Sequence, residues 1–161
     1  MVCDNPKAYA LERAKKNDIP VVLLSPKLFP NREAYEKVIV QILKNQKIDL
    51  LVLAGFMRIL TPYFINAYRG RIINIHPSYL PAFKGAHAIR DAFEAGVKQT
   101  GVTVHFVTVK VDAGPIIQQE KLKIDPKDTL EALEKKIHTL EHKLYPKAIQ
   151  HVVLRLRSGL R

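Results

Sequence analysis

The first half of the chain alternates between short apolar runs and helical patterns. The apolar runs have the length of buried strands and end at turn formers such as Gly55 and Pro77. They cover Val21–Leu24, Asp49–Ala54 and Arg71–Ile75. Helical patterns fill the intervals at Ala8–Lys16, at Asn31–Lys44 and after Thr61-Pro62. Because strands that alternate with helices are usually joined by crossover connections, this half predicts a parallel sheet.

The second of these helices shows a cap and an apolar face. Asn31 is a favoured N-cap residue, so the helix is expected to begin directly after it. Helical spacing then predicts a buried inner face. The residues predicted for that face are Ala34, Val38, Ile42 and Leu43.

The second half changes to strict alternation and then to a long helix. Gly101–Val109 alternates between apolar and polar residues, and extended character resumes over Pro115–Lys123 after a loop at Lys110–Gly114. This pair is expected to run antiparallel. A capping pattern at Asp128 and Glu131 predicts a helix start. The predicted buried stripe of this helix is Leu130, Leu133, Ile137, Leu140 and Leu144, and Pro146 is expected to kink it or to separate it from Lys147–Arg157. Together the halves predict one α/β domain over residues 1–161.

Composition narrows the class of protein. The 161 residues carry 26 Lys and Arg against 15 Asp and Glu, a formal net charge of +11, and 47% of them are hydrophobic. That hydrophobic share argues against global disorder. No apolar stretch approaches a membrane span, no signal peptide opens the chain, and the lone Cys3 fits a cytoplasmic location. The charge favours anionic partners, although a lysine-rich surface explains it equally well.

The strongest local signal for chemistry is Asn74-Ile75-His76-Pro77. Asn74 and His76 lie two apart on a predicted strand, so they share one face at a strand end, where open α/β sheets usually bind ligands. An amide beside an imidazole can stabilise an oxyanion and move a proton. A carboxylate from Asp112, in the turn-rich V-D-A-G-P segment, would favour the imidazolium if it came close. The alternatives are a polar strand end satisfied by nearby backbone and a simple turn former.

One motif suggests a metal. His138–His142 matches H-x-x-E-H, a zinc-peptidase pattern. Because Leu140 belongs to the predicted buried stripe and no further ligand is evident, we expect no metal and interpret the segment as a solvated or substrate-facing side of the helix. The sequence contains no G-x-x-x-x-G-K-[ST], G-x-G-x-x-G, C-x-x-C or G-x-S-x-G motif. Its basic residues are scattered, so we expect no specific nucleic-acid partner.

Taken together, four segments resemble the phosphoribosylglycinamide formyltransferase family. They are Ala54–Leu60, Ile73–Pro81, Gly101–Val107 and Val111–Ile117. The resemblance implies a formyltransferase-like, Rossmann-type three-layer α/β fold with a mostly parallel sheet and a C-terminal antiparallel hairpin. The family pattern starts with a strand, a Gly-Ser-Asn phosphate loop and a helix. Val2 onward resembles the end of the family's second strand, so we expect that first strand-loop-helix to be missing from this chain.

The resemblance also implies an activity and the residues for it. A formyl group would pass from 10-formyltetrahydrofolate, a co-substrate, to the amino group of glycinamide ribonucleotide in purine biosynthesis, without a metal. The implied catalytic residues are Asn74, His76 and Asp112. The implied folate-binding residues are Arg32, Met57, Arg58, Ile59, Leu60, Asn74, Thr108, Val109, Lys110, Val111 and Asp112. The implied ribonucleotide-side residues are Pro77, His138 and Glu141.

Three alternatives stay open at this point. A formyltetrahydrofolate hydrolase resembles this family but carries a second histidine where Pro77 stands, together with a regulatory domain. A methionyl-tRNA formyltransferase would suit the basic charge but would add a C-terminal barrel. The third alternative is a truncated, catalytically impaired chain that binds folate. The expected partners are the two small molecules, with no membrane, and self-association into a homo-oligomer is left open.

Overall fold

The computed structural model describes residues 1–159, which fall into two compact units. The first unit is Met1–Ile48, and the second begins at Asp49. The single-domain organisation expected from the sequence stays a prediction. In the first unit, β1 (Val2–Cys3) pairs in parallel with β2 (Val22–Leu23), as alternating strands and helices predict. Its helices are α1 (Tyr9–Lys16), a 3-10 turn at Pro26–Leu28 and α2 (Arg32–Asn45).

Helix α2 begins where the sequence indicates but buries a different face. The Asn31 side chain accepts a hydrogen bond from the backbone N–H of Ala34 at 2.9 Å, the predicted cap. The predicted inner face is wrong at Val38, which is exposed, while Ala34, Ile42 and Leu43 are half-buried. The buried residues are Tyr35, Glu36, Ile39 and Val40. The cause is Tyr35, whose ring packs edge-on against Phe29 and whose hydroxyl reaches the Leu24 carbonyl.

The second unit contains a mixed four-stranded sheet. Its strands are β3 (Leu51–Leu53), β4 (Ile72–His76), β5 (Gln99–Phe106) and β6 (Ile116–Lys123), in that order across the sheet. Strand β3 runs parallel to β4, whereas β4 with β5 and β5 with β6 pair antiparallel. The predicted hairpin is therefore confirmed, and the antiparallel part of the sheet extends one strand further than the hairpin.

Three helices accompany this sheet. Helix α3 (Pro62–Ala67) is capped by Thr61, as Thr-Pro predicts, and α4 (Ala88–Glu94) has no counterpart among the sequence predictions. Helix α5 (Leu130–Arg157) is capped by Thr129 rather than by Asp128. The Asp128 carboxylate instead accepts hydrogen bonds from the Lys136 ammonium at 2.7 Å and the Asp125 N–H at 2.9 Å.

Helix α5 is not divided at Pro146, contrary to one of the two predicted outcomes. Its buried face continues on both sides of the proline, through Leu144 and Tyr145 before it and Ala148 and Val152 after it. Burial of both halves against the same core offsets the cost that an interior proline imposes. Of the predicted stripe, Leu130 is half-buried and the other members are buried; these are Leu133, Ile137, Leu140 and Leu144.

Helix α5 packs against one face of the sheet, and the polar residues of β4 lie on the other face. Its buried stripe joins one core cluster with Ile73 and Ile75 of β4 and with Val102 and Val104 of β5. Because side chains alternate along a strand, Asn74 and His76 project from the face opposite this core. The site therefore lies on the side of the sheet that α5 does not cover.

Within residues 1–159, none of the helices combines the length and the apolar character needed to cross a membrane.

Candidate active site

Strands β4 and β5 bring an amide and two imidazoles to one face of the sheet. In the antiparallel register Asn74 lies opposite His105, and His76 lies opposite Thr103. The amide nitrogen of Asn74 lies 3.5 Å from Nε2 of His105. His76 and His105 are 4% and 2% exposed, so both imidazoles are shielded from bulk water.

Asp112 completes the cluster from the loop between β5 and β6. One carboxylate oxygen lies 3.5 Å from Nδ1 of His76, and the other lies 3.6 Å from Nε2 of His105. The backbone N–H of Gly85 donates a hydrogen bond to the same carboxylate at 2.9 Å. Asp112 has a φ of +47°, in the left-handed region that an aspartate tolerates better than most residues. The three residues predicted to act together, Asn74, His76 and Asp112, thus form one contiguous group through His105.

His76 faces a hydrogen-bond acceptor on each ring nitrogen. Its Nε2 lies 2.8 Å from the carbonyl oxygen of Phe83, and its Nδ1 faces the Asp112 carboxylate. A backbone carbonyl can only accept, so the Nε2 proton is donated to Phe83. When Nδ1 is also protonated, the ring donates to the carboxylate as well. The surroundings therefore fix the orientation of the ring between the Phe83 carbonyl and the Asp112 carboxylate.

His105 was not singled out from the sequence, although it lies at the centre of the group. Its Nδ1 lies 2.9 Å from the carbonyl oxygen of Phe106, so the ring proton sits on Nδ1 and Nε2 can accept from the Asn74 amide. Burial lowers the pKa of His105, against the opposing effects of the Phe106 hydrogen bond and the Asp112 charge. The alternation in V-T-V-H-F could have placed His105 on the strand face opposite Val102 and Val104. The pairing of His105 with Asn74 could not be predicted from the sequence.

Comparison with known proteins supplies the family. A family model described as formyl transferase matches residues 1–149. The chain belongs to the formyl transferase family.

Relatives of known sequence align over nearly the whole chain. Phosphoribosylglycinamide formyltransferase of Bacillus subtilis is 47% identical over 153 residues, which cover 95% of this chain and 78% of that protein. The trifunctional purine biosynthetic protein adenosine-3 of Bos taurus is 44% identical over 94% of this chain and only 15% of its own length.

Solved structures of formyl transferases share the fold. Phosphoribosylglycinamide formyltransferase from Bacillus halodurans is 51% identical with a TM-score of 0.91, covering 94% of this chain and 78% of that one. The enzyme from Streptococcus pneumoniae TIGR4 is 43% identical with a TM-score of 0.92, covering 94% and 84%. The expected three-layer α/β formyltransferase fold is confirmed, with a mixed sheet.

Two loops of this formyl transferase expose apolar side chains at the positions predicted to bind folate. After β3, Met57 and Ile59 are 77% and 58% exposed, whereas Leu60 is buried. After β5, Val109 and Val111 are exposed and the Thr108 hydroxyl donates to the Lys110 carbonyl at 3.1 Å. Exposed apolar side chains of this kind suit contact with a flat aromatic ring. Arg58 and Lys110, exposed in the same loops, add positive charge.

The remaining predicted residues lie on other elements. Arg32 is the first residue of α2, and Pro77 directly follows β4. On α5, Nδ1 of His138 lies 2.7 Å from a carboxylate oxygen of Glu141, one turn apart. Across residues 1–159, this pair makes no hydrogen bond or ion pair with Asn74, His76 or Asp112. In the same range, the structure contains no group of three or more His, Cys, Asp or Glu side chains that could hold a metal ion.

Proposed function

We propose that this formyl transferase moves the formyl group of 10-formyltetrahydrofolate to the amino group of glycinamide ribonucleotide, a step of purine biosynthesis. The observation that carries the proposal is the convergence of Asn74, His76 and Asp112 in a chain 47% identical to a phosphoribosylglycinamide formyltransferase. Amide and imidazole donors beside a carboxylate are the groups that acyl transfer to an amine requires.

The first chemical step is attack of the amine nitrogen on the formyl carbon. A carbon–nitrogen bond forms, and the carbonyl electron pair moves to oxygen. The Asn74 amide has two N–H bonds; one points towards His105 and the other is free to donate to this oxyanion. Protonated His76, whose ring N–H groups face Phe83 and Asp112, would stabilise the oxyanion by its positive charge rather than by a direct hydrogen bond.

The second step transfers a proton. The attacking nitrogen gains a positive charge and must lose a proton. As the carbonyl re-forms, the bond between the formyl carbon and N10 breaks, and N10 of the folate takes up a proton. Asp112 is the base we assign to accept the first proton, directly or through a water, and His76 passes a proton onward. The Gly85 N–H holds the Asp112 carboxylate in place while its charge changes.

We assign the binding roles by loop. The Met57–Leu60 and Thr108–Asp112 segments would take the pteridine ring between apolar side chains and backbone groups, and Arg58 would meet a folate carboxylate. The family resemblance assigns Arg32, the first residue of α2, as a further folate contact. On the ribonucleotide side, Pro77 borders the reacting amine. Glu141, oriented by His138, would accept hydrogen bonds from ribose hydroxyls.

Transfer to an amine is favoured over hydrolysis. Proline, not a second histidine, follows His76, and the relatives from Bacillus subtilis, Bacillus halodurans and Streptococcus pneumoniae are transferases by name. We further propose a cytoplasmic location, which suits small phosphorylated metabolites. Self-association stays a prediction, which sedimentation velocity would test.

The test is a formyl-transfer assay on the purified chain. The chain is incubated with 10-formyltetrahydrofolate, with or without glycinamide ribonucleotide, and both tetrahydrofolate and the formylated ribonucleotide are quantified. We expect both products in equal amounts, and only when the ribonucleotide is present. Release of formate with water as acceptor would indicate a hydrolase, and no turnover in either reaction would contradict the proposal.

A further inference from the structure

We propose that Thr103 and Gln119 are positioning residues, which hold His76 and Asp112 through the backbone of the loop Ser78–Gly85. This bridging loop connects the hydrogen bonds of Thr103 at its start to those of His76 and Asp112 at its far end. The inference rests on the proposed formyl transfer, because it assigns how the reacting groups of that site are kept in place. Neither side chain has been given a role so far.

The hydroxyl of Thr103 is fully used in holding the start of the bridging loop. It donates to the Ser78 carbonyl at 2.8 Å and accepts from the Leu80 N–H at 3.1 Å. It also accepts from the amide nitrogen of Gln119 at 2.8 Å. One donor and two lone pairs are all that a hydroxyl has, so this one is saturated. Thr103 is completely buried, so it cannot touch a substrate itself.

Gln119 adds a second attachment from the neighbouring strand. The same amide nitrogen that meets Thr103 also donates to the Leu80 carbonyl at 2.9 Å. Leu80 is therefore fixed at both its N–H and its carbonyl, by side chains from β5 and β6. Inside the loop, the Ser78 hydroxyl donates to the Ala82 carbonyl at 2.6 Å, which carries the constraint towards the tip.

The far end of the bridging loop holds the reacting groups by its backbone. The Phe83 carbonyl accepts from Nε2 of His76 at 2.8 Å, and the Gly85 N–H donates to Asp112 at 2.9 Å. Phe83 has a φ of +53°, a conformation that costs free energy for a bulky residue and persists only where the surroundings enforce it.

Burial alone cannot enforce that conformation. Ser78 and Leu80 are buried at the base of the loop, but Ala82, Lys84 and Gly85 are exposed. The tip is therefore held by its own hydrogen bonds and by the anchoring of its base. Loss of the anchors should shift the Phe83 carbonyl and the Gly85 N–H, and with them the His76 ring and the Asp112 carboxylate. A displacement of this kind lowers turnover even when every reacting group is present.

The chain offers a matched control for each variant. Thr100 lies in the same strand as Thr103 and is also buried, but its hydroxyl has no hydrogen-bond partner in the described structure. Thr103→Val therefore removes a hydroxyl that holds the bridging loop by hydrogen bonds. Thr100→Val makes the same change at a hydroxyl that makes none. Gln119→Leu is matched by Gln118→Leu on the same strand, because Gln118 makes no side-chain hydrogen bond within residues 1–159. Thr103→Ser keeps the hydroxyl and should restore activity.

The experiment combines steady-state kinetics with ¹⁵N NMR of the histidine rings. We expect Thr103→Val and Gln119→Leu to lower kcat by up to about 10²-fold, with smaller changes in KM, and to shift the His76 ring resonances. We expect kcat and the His76 ring resonances to stay near their wild-type values in the controls Thr100→Val and Gln118→Leu and in Thr103→Ser. If Thr103→Val does not fold, Gln119→Leu and the serine variant decide the matter.

Unchanged His76 resonances and unchanged kcat in the two anchor variants would overturn the inference. Equal losses in the anchor and control variants would also overturn it, since they would indicate general destabilisation. If the wild-type chain transfers no formyl group, the proposed function fails instead. The NMR comparison still tests the anchoring in that case, because it needs no turnover.

Discussion

His76 lies between two acceptors of different kinds, a backbone carbonyl and a carboxylate. The carbonyl cannot change its charge, so it fixes the ring and the tautomer. The carboxylate is the group to which the proposed mechanism assigns proton transfer. At the scale of single residues, this division explains why the site needs a loop backbone as well as side chains.

Removal of the His76 ring tests this arrangement. We expect His76→Ala to reduce kcat for formyl transfer by about 10²-fold or more, the usual scale for a positioned acid–base group. The control variant is His151→Ala. It removes an exposed histidine from α5, so we expect it to leave turnover unchanged. Near-native turnover of His76→Ala would show that the ring takes no part in the chemistry.

His105 makes the stability of the protein sensitive to acid. Burial lowers its pKa below the ordinary value of about 6.5, so the unfolded chain binds this proton more readily than the folded one. The stabilisation that the folded protein gains from neutral His105 is therefore complete above about pH 6.5. It is lost as the pH falls through the lowered pKa.

The measurement is urea unfolding between pH 5 and 8. We expect the free energy of unfolding to fall on the acid side, with up to about 1.4 kcal/mol per pH unit from this one proton. His105→Gln should flatten that slope, and the exposed-site control His151→Gln should not. An unchanged slope in His105→Gln would mean that other groups cause the acid sensitivity.

At the scale of elements, local patterns predicted most strands and helices because each element follows from neighbouring residues. The β4 pair Asn74 and His76 could be placed on one face from alternation alone. The approach of Asp112 and the part played by His105 could not be derived from local pattern, because both depend on contacts between strands and a loop. The turn-rich segment made Asp112 a candidate, but only the family resemblance grouped it with Asn74 and His76. The buried face of α2 was mispredicted because hydrophobicity alone does not reveal that Tyr35 packs inward.

The loop between β5 and β6 depends on Gly114. A Cβ at this position would collide with the Phe106 carbonyl oxygen, the atom that fixes the His105 proton. We expect Gly114→Ala to displace the loop that carries Asp112 and to lower kcat by about tenfold or more, by the same loss of alignment. Ala113→Ser adds one atom to the exposed neighbouring residue and should have little effect. Equal activity in the two variants would contradict this account.

Helix α5 is tied to the sheet by the hydroxyl of Tyr145. This hydroxyl lies 2.6 Å from the Leu53 carbonyl oxygen and 3.2 Å from that of Ile73, on neighbouring parallel strands. Burial raises the pKa of Tyr145 far above its ordinary value, so it always acts as a donor. Tyr145→Phe leaves these carbonyls without the donor and should lower the free energy of unfolding by about 1–3 kcal/mol. Urea titration measures this, and the exposed Tyr9→Phe should cost nothing comparable.

At the scale of the whole molecule, the family resemblance predicted more than the local patterns did. It predicted the three-layer fold, and it proposed a common role for Asn74, His76 and Asp112, which no single spacing specifies. The mixed character of the sheet shows the limit of local pattern. Alternating strands and helices predicted parallel pairing, but β5 pairs antiparallel with β4 after a segment whose short helix, α4, was not predicted. Helix α4 has only 7 residues, so it offers few positions from which a helical period can be detected.

The net charge should govern how fast the substrates arrive. Both proposed substrates are anionic, and the chain carries a formal net charge of +11. A positive field speeds the encounter with anions at low ionic strength, and salt screens it over a Debye length of about 10 Å at 0.1 M. We therefore expect kcat/KM for the ribonucleotide to fall by about tenfold between 0.02 and 0.5 M NaCl, on the order that steering allows. Saturating kcat should change less, because His76 is buried and Asn74 and Asp112 are only partly exposed.

Charge reversal on α5 separates steering from specific ion binding. Lys143 and Lys147 are exposed, and replacing both with glutamate lowers the net charge by four without touching Asn74, His76 or Asp112. The double variant should show a shallower dependence of kcat/KM on salt and the wild-type kcat at saturation. The charge-preserving pair Lys143→Arg and Lys147→Arg should retain the full salt dependence. If the glutamate variant keeps the wild-type slope, the salt effect arises from ions that compete at the site rather than from the field of the whole molecule, because a long-range field must weaken when four charges are removed from it.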